Sequence, residues 1–235
     1  QKRKRSDNVS SIPSSKEIEC ALCRIIKANV EESTLKRVAV ALSSGVDSNL
    51  IFSLIRKEYP SIDIECLNVS FDEDTSEVST AKKIAESQNA GFHEIHVDNP
   101  LKDLPLLISI IKEPRWNIYQ YYFIKNAASI SESLFTGDGG DELFAGYTFR
   151  YKKFLEKTGL NHSWAERIRT YLLCHERDWV PDQEDMFGEH VKFNWSSIYD
   201  PMKNYFDNNL DPLEQVFLAD YHGKLMYDFM PTNET

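Results

Sequence analysis

Cysteine is scarce in this sequence, and its pattern does not indicate a disulfide-based fold. Four cysteines in 235 residues are too few for a disulfide scaffold in a chain of this length. Cys20 and Cys23 form a CxxC pair, but no second CxxC or histidine pair follows at the spacing that zinc sites use. The stretch SSKEIECALCRIIKANVEES has the period of an amphipathic helix, with a capping box at Ser14 and Glu17. We therefore expect both cysteines to be ordinary helix residues.

The sequence also lacks an excess of positive charge and any long apolar run. A net charge of -10 argues against duplex nucleic acid or an anionic membrane as partner, because both require a basic face. No run of about 18 apolar residues occurs, and the start QKRKRSDNVSSIPSS has charge without the apolar part of a signal peptide. We expect a cytoplasmic protein without a transmembrane helix, whose nucleotide partner, if any, is small.

What the sequence does contain is an alternation of short β-rich runs and helical patterns. The β-rich runs are RVAVAL (37 to 42), IDIECLNVS (62 to 70), FHEIHV (92 to 97) and SLFTG (133 to 137). Helical patterns cover about 46 to 58, 76 to 89, 103 to 112 and 118 to 131. Successive strand, helix, strand units with right-handed crossovers predict an α/β fold, a parallel sheet with helices on both faces. Ligands of such sheets bind at the carboxyl ends of the strands.

The domain organisation is predicted from composition. Residues 1–13 are polar, and we expect a disordered tail there. The α/β pattern occupies residues 14–155, which we predict to be the nucleotide-binding domain. Residues 156–235 carry aromatic-rich helical patterns, and we expect them to pack beside the sheet as a helical extension of the same domain.

The loop after the first predicted strand has the composition of an anion site. It presents the hydroxyl groups of Ser43, Ser44 and Ser48, and Gly45 allows close approach of the backbone. Its amide groups and the positive end of the following helix dipole attract negative charge. Asp47 repels a phosphate unless a cation such as Mg²⁺ lies between them, although an aspartate here could also simply cap the helix.

A second loop, TGDGGDELFAGY (136 to 147), is acidic. It follows the strand predicted at 133 to 137 and contains Asp138, Asp141 and Glu142 with no basic residue among them. Carboxylates so close in the chain repel one another, and a bound cation would relieve the repulsion. An acidic solvated turn is the alternative. Because both loops follow strands of one predicted parallel sheet, together they predict the two halves of a magnesium-pyrophosphate site.

These motifs resemble those of a known family. SSGVDS (43 to 48) is similar to the pyrophosphate loop SGGxDS of the ATP pyrophosphatases, and GDGGDELFAGY (137 to 147) to the motif GEGxDExFGGY of glutamine-dependent asparagine synthetases. LNVSFDED (67 to 74) resembles the adenine-side strand of that family, and EPRWNIYQYYF (113 to 123) its substrate-side segment. The resemblance covers roughly residues 17 to 155. It implies a HUP-like fold of the PP-loop superfamily.

The activity implied by the resemblance is an ATP-dependent amide synthesis. ATP would adenylate a carboxylate, most simply that of aspartate, pyrophosphate would leave, and ammonia would attack the acyl-adenylate. The resemblance assigns the pyrophosphate to the loop of Ser43, Ser44, Gly45, Asp47 and Ser48, with Gly137 beside it. It assigns adenine to the backbone at Leu42 and Val69, Mg²⁺ to Asp47 and Asp141, and catalysis to Asp138, Asp141 and Glu142.

The sequence departs from the family pattern in three ways. Ser44 replaces the first glycine of the pyrophosphate loop, which is tolerated only if φ there is negative, and Asp138 replaces a glutamate. Relatives carry an N-terminal glutaminase domain and a later segment with a pyrophosphate-binding lysine, neither of which is evident here, so ammonia could come from a separate glutaminase. Three alternatives stay open: closure of a β-lactam, amidation of a peptide, and a non-catalytic nucleotide-binding module.

Overall fold

The computed structural model describes residues 13–32, 36–71, 76–112, 119–159, 161–175, 191 and 194–229. The chain divides into two compact units, residues 1–137 and residues 138–235, which are described separately. The predicted tail lies almost wholly outside the described residues. The predicted domain limits at 13 and 155 stay predictions. Within the described ranges, no helix combines the length and the apolar character that crossing a bilayer requires.

The first unit contains a four-stranded parallel sheet. Its strands are β1 (Arg37–Ala41), β2 (Asp63–Ser70), β3 (Gly91–His96) and β4 (Leu134–Phe135), in the order β3-β2-β1-β4. In the register, Val40 pairs with Cys66 of β2, and Ala39 pairs with Leu134 of β4. β1 is apolar and buried from Val38 to Ala41 because helices cover both of its faces, whereas β2 (DIECLNVS) mixes polar and apolar residues and is largely buried. The predicted parallel sheet is confirmed.

Helices pack on both faces of this sheet. They are α1 (Ser15–Glu32), α2 (Val46–Glu58), α3 (Ser76–Ser87), α4 (Leu104–Ile111) and α5 (Tyr119–Ala127). Val38 and Val40 point to the face that α1, α2 and α3 cover, where Phe52 is fully buried. Ala39, between them in the strand, points to the opposite face and packs with Ala127 of α5. The helix positions predicted from the sequence are confirmed for each of these elements.

Helix α1 begins at the predicted capping box. The Ser14 backbone N–H and hydroxyl both donate to the Glu17 carboxylate at 2.7 Å, and the Glu17 N–H donates to the Ser14 hydroxyl at 3.3 Å. These hydrogen bonds pair backbone N–H groups at the start of the helix that would otherwise bond only to water. Cys20 and Cys23 are free thiols within this helix, as predicted.

The second unit is helical in its described residues. It contains α6 (Gly140–Phe144), α7 (Thr148–Lys157), α8 (Trp164–Leu173), α9 (Ser196–Phe206) and α10 (Pro212–Ala219), and a π-helical segment Asp220–Phe229 continues α10. Its core is built from aromatic side chains such as Phe154 and Phe206. At the centre, the buried carboxylate of Asp220 accepts hydrogen bonds from Tyr151 at 3.1 Å and Tyr171 at 2.6 Å. Aromatic packing thus surrounds a satisfied polar group.

Candidate active site

The loop between β1 and α2 is held closed by its own side chains. The Ser43 backbone N–H donates to the Ser48 hydroxyl at 3.1 Å, and the Gly45 N–H donates to the Ser43 hydroxyl at 3.0 Å. Asn49 donates its amide to the carbonyl oxygens of Ser43 at 3.1 Å and Gly45 at 2.6 Å. The two hydroxyl oxygens lie 2.9 Å apart. The loop therefore has a defined shape without a ligand, and both hydroxyl groups can reorient toward an anion.

Two features of this loop answer questions that the sequence raised. Positive φ in non-glycine residues of the described chain occurs at Asn89, Lys112 and Ala145, so φ at Ser44 is not positive and serine replaces glycine there without backbone strain. Asn49, which was not predicted as a site residue, fixes the loop through two carbonyl oxygens. Its position in the first turn of a helix, directly after the SSGVDS motif, was the available signal.

The end of β4 approaches the β1–α2 loop closely at Gly137. A Cβ atom at Gly137 would lie 2.5 Å from the backbone nitrogen of Ser48 and 2.8 Å from the carbonyl carbon of Asp47. Both distances are too short for any side chain, and the atoms involved belong to the backbone, which cannot rotate away. The first residue of the acidic motif is therefore in backbone contact with the serine-rich motif, although the two are far apart in the sequence.

The backbone at the carboxyl ends of β1 and β2 is also fixed. The Leu42 N–H donates to the Leu67 carbonyl at 2.8 Å, and the side-chain amide of Asn68 donates to the Leu42 carbonyl at 2.8 Å. Asn68 is buried, and its side-chain amide holds the chain where it leaves β1. Val69 lies at the carboxyl end of β2, paired with Ile95 of β3. Leu42 and Val69 thus lie on adjacent strands, and their contact with adenine stays a prediction.

In the second unit, the Asp141 carboxylate occupies space that is open because residue 146 is a glycine. A Cβ atom at Gly146 would lie 1.7 Å from Asp141 Oδ1 and 2.7 Å from its Cγ. The Gly146 N–H donates to the Asp141 carbonyl at 3.0 Å, which closes the turn after α6. Ala145, at the end of α6, has φ of 59° in the left-handed region. The turn therefore positions the Asp141 carboxylate directly over the Gly146 backbone.

Glu142 is the buried acid of this loop, and its carboxylate is paired. Its carboxylate lies 2.9 Å from the Lys224 ammonium and accepts a hydrogen bond from the Tyr147 hydroxyl at 2.7 Å. The Lys224 ammonium also lies 2.6 Å from the Tyr147 hydroxyl oxygen. Burial and the hydrogen bond to Glu142 raise the pKa of Tyr147 well above its usual value, so the hydroxyl stays protonated and donates. Neither Lys224 nor Tyr147 was predicted from the sequence as a site residue, although Tyr147 ends the acidic motif.

The remaining acidic residues suit a magnesium ion that is held partly by its substrate. No group of three potential metal ligands occurs among the described residues. Mg²⁺ usually binds one or two carboxylates and completes its shell with water and phosphate oxygens. In the first unit, Asp47 in the first turn of α2 offers an oxygen ligand of that kind. In the second unit, the exposed Asp138 and the partly buried Asp141 do the same. Each unit therefore carries a carboxylate of the type that Mg²⁺ binds together with phosphate oxygens.

A parallel sheet with helices on both faces, whose first strand ends in a serine-rich loop that Gly137 contacts, defines a protein of the ATP pyrophosphatase class. Residues 27–234 match the family model described as asparagine synthase, and the chain therefore belongs to the asparagine synthase family. Its sheet order and helical C-terminal part confirm the predicted HUP-like fold. The activity that accompanies this membership is of the ATP-dependent ligase type.

Individual proteins resemble this chain only distantly. No curated protein matches the chain. An NH3-dependent NAD synthetase from Campylobacter jejuni, solved with a nitrate ion, is 15% identical, with a TM-score of 0.47 over 94% of this chain and 98% of that one. The U34-tRNA thiolase NcsA from Methanococcus maripaludis, solved with its 4Fe-4S cluster, is 16% identical, with a TM-score of 0.39 over 90% and 80%. Neither score reaches 0.5, so neither structure bears on the activity.

Proposed function

We propose that the protein is an ATP-dependent, AMP-forming amide synthetase that converts aspartate and ammonia to asparagine. The aspartate side-chain carboxylate attacks the α-phosphorus of ATP, and the bond to the β-phosphate oxygen breaks to release pyrophosphate. Ammonia then attacks the acyl carbon, loses a proton, and AMP leaves. The observation that carries the proposal is the backbone contact of Gly137 with Ser48, because it joins the end of β4 to the loop of the other motif.

The β1–α2 loop has the role of holding the pyrophosphate portion of ATP. The hydroxyl groups of Ser43 and Ser48 and the backbone at Ser44 and Gly45 supply donors, and the helix dipole of α2 favours the negative charge. Gly137 lets the β4 backbone close one side of this loop. The backbone at Leu42 and Val69, at the ends of adjacent strands, meets the adenine.

Asp47 and Asp141 are the proposed carboxylate ligands of Mg²⁺. When bound, the ion offsets the charge that develops on the leaving pyrophosphate. Asp138 is the proposed acceptor of the ammonia proton, since its exposed carboxylate follows Gly137 directly in the chain. Glu142, which the sequence grouped with these acids, is already engaged by Lys224 and Tyr147. Its proposed contribution to catalysis is to keep α6 in position.

The test is substrate-dependent release of pyrophosphate from ATP. The purified chain is incubated with ATP, Mg²⁺, ammonium and each amino acid in turn, and pyrophosphate, AMP and amide are measured. Aspartate should give all three products in equal amounts, and Ser48→Ala should slow their formation. Glutamine replaces ammonium in a parallel series, which shows whether the nitrogen comes from ammonia itself. Turnover with a different acid would show that the protein is a ligase for another substrate. ATP binding without turnover for any acid would indicate a non-catalytic nucleotide-binding module.

A further inference from the structure

Gln120, near the start of α5, is a buried amide that the fold leaves without a partner. Its side chain is 3% exposed, and neither Nε2 nor Oε1 has a hydrogen-bond partner within the part of the chain that the structure describes. Native proteins satisfy nearly all buried polar groups, and each exception costs folding free energy. Among the described residues with unpaired buried side-chain atoms, Gln120 has both a donor and an acceptor unpaired, so both are available to a ligand.

A second buried glutamine shows what a structural role looks like in this protein. Gln215 is fully buried, and its Oε1 accepts a hydrogen bond from Arg167 at 2.8 Å. Its Nε2 donates to the Phe206 carbonyl at 3.2 Å and to Asn208 Oδ1 at 3.1 Å. Both the oxygen and the nitrogen of the Gln215 amide are therefore hydrogen-bonded, whereas neither atom of the Gln120 amide has a partner among the described residues.

The contacts of α5 show where Gln120 lies in the first unit. Tyr122 packs edge-on against Phe71, the residue after the carboxyl end of β2, with ring centroids 6.1 Å apart. Four residues beyond the last residue of the helix, the Ser131 hydroxyl donates to the Arg37 carbonyl at the start of β1 at 2.9 Å. Helix α5 therefore runs antiparallel to the strands. Gln120, two residues before Tyr122, lies at the carboxyl edge of the sheet.

The face of α5 that carries Gln120 points toward the two central strands. Positions three and seven residues further on, Phe123 and Ala127, share its face of the helix. Both pack with Ala39 of β1 and Leu67 of β2. Gln120 is one turn closer to the carboxyl edge, and it is therefore placed next to the ends of β1 and β2.

We infer that Gln120 recognises the adenine base of ATP, an assignment that rests on the proposed function and departs from the substrate-side role that the resemblance implies for the segment 113 to 123. A primary amide offers one donor and one acceptor side by side, and adenine presents the complementary pair through its amino group and a ring nitrogen. Phosphate oxygens only accept hydrogen bonds, so they would leave Oε1 without a donor. A neutral planar base also suits the apolar surroundings of Phe123 and Leu67 better than a charged amino acid does.

The test compares Gln120→Leu with Gln215→Leu in the full chain. Binding of ATP, GTP and inorganic tripolyphosphate, which has no base, is measured by calorimetry with Mg²⁺ present. In Gln120→Leu, ATP affinity should fall about 10- to 100-fold, the preference for ATP over GTP should disappear, and tripolyphosphate affinity should be unchanged. The same variant should melt about 2 to 4 °C higher, because an unmet buried amide has been removed. Gln215→Leu should melt lower and keep the preference for ATP.

The outcomes separate this inference from the proposed function. If the wild-type protein binds ATP and Gln120→Leu binds it equally well with the same preference over GTP, the base is not recognised by Gln120, whereas the proposed function stands. If the wild-type protein binds neither ATP nor tripolyphosphate, the proposed function fails and this inference fails with it. Gln120→Met, unbranched and of similar length, gives the same comparison if Gln120→Leu does not fold.

Discussion

Replacing Gly146 by alanine should displace the Asp141 carboxylate and slow catalysis while the fold is kept. The new Cβ would lie 1.7 Å from Asp141 Oδ1, and an ordinary carbon-oxygen contact is about 3.3 Å, so the carboxylate must retreat by about 1.5 Å. Catalytic groups tolerate displacements of about 0.5 Å, and 1 Å can cost about 100-fold in rate. We therefore expect pyrophosphate release about 100-fold slower than wild type, with a higher Mg²⁺ requirement.

The fold should tolerate this substitution. The two nearest atoms, Oδ1 and Cγ, belong to a side chain that can rotate, and the third, the Asp141 Cα at 3.0 Å, needs a shift of only a few tenths of an ångström. In addition, φ at Gly146 lies outside the range that only glycine adopts readily. We expect the free energy of unfolding to stay within about 1 kcal/mol of wild type. Gly223→Ala is the matched control, because its new Cβ would lie 3.7 Å from Tyr205 in ordinary contact. It should leave the rate unchanged and raise the free energy of unfolding by at most about 1 kcal/mol, because Gly223 lies in a helical segment.

The assay is pyrophosphate release across a Mg²⁺ titration for Gly146→Ala, Asp141→Asn and the double variant. If the glycine acts through the carboxylate, the double variant should be no slower than Asp141→Asn alone, since both changes remove one interaction. A wild-type rate for Gly146→Ala alongside a slow Asp141→Asn would refute the claim that the position of this carboxylate matters. Unfolding of Gly146→Ala would show that the turn is structural.

Three further predictions concern the stability of the second unit. Ala145→Gly should raise the free energy of unfolding by about 0.5 to 1 kcal/mol in urea denaturation, because the relief of a left-handed alanine exceeds the entropy that the more flexible glycine loses on folding. A lower free energy of unfolding would show that Ala145 is not strained. Lys224→Met should lower the free energy of unfolding by about 3 to 5 kcal/mol, because it leaves the buried Glu142 carboxylate without its cation. Adding Glu142→Leu should recover most of that loss. Equal stability of Lys224→Met and wild type would show that the pair is not coupled. Burial, the largest cause, lowers the pKa of His175 below 6.5, so as pH falls below about 6.5 the unfolded chain takes up a proton first and stability declines. His175→Gln should lack that decline in thermal melts recorded between pH 8 and pH 5 (values spanning the titration range of histidine); parallel melting curves for the two proteins would show that His175 does not titrate differently on folding.

Local patterns in the sequence determined the secondary structure and the location of the motifs. The apolar runs predicted β1 to β4, helical periodicity predicted the helices between them, and Ser14 with Glu17 predicted the start of α1. These features depend on residues close in the chain, whose spacing sets which face of an element is apolar. The SSGVDS motif and the acidic motif likewise depend on short spacing. The sequence therefore sufficed for the fold class and for the candidate residues.

The contacts between distant segments were decided only by the tertiary structure. No local pattern shows that Gly137 touches Ser48, that Lys224 pairs with Glu142, or that Gln120 is buried without a partner. Gln120 and Gln215 are the same residue type in helical segments, yet one amide is satisfied and the other is not. The reason is physical: whether a polar group is paired depends on which atoms packing brings within about 3 Å of it, and that is set by the arrangement of whole elements.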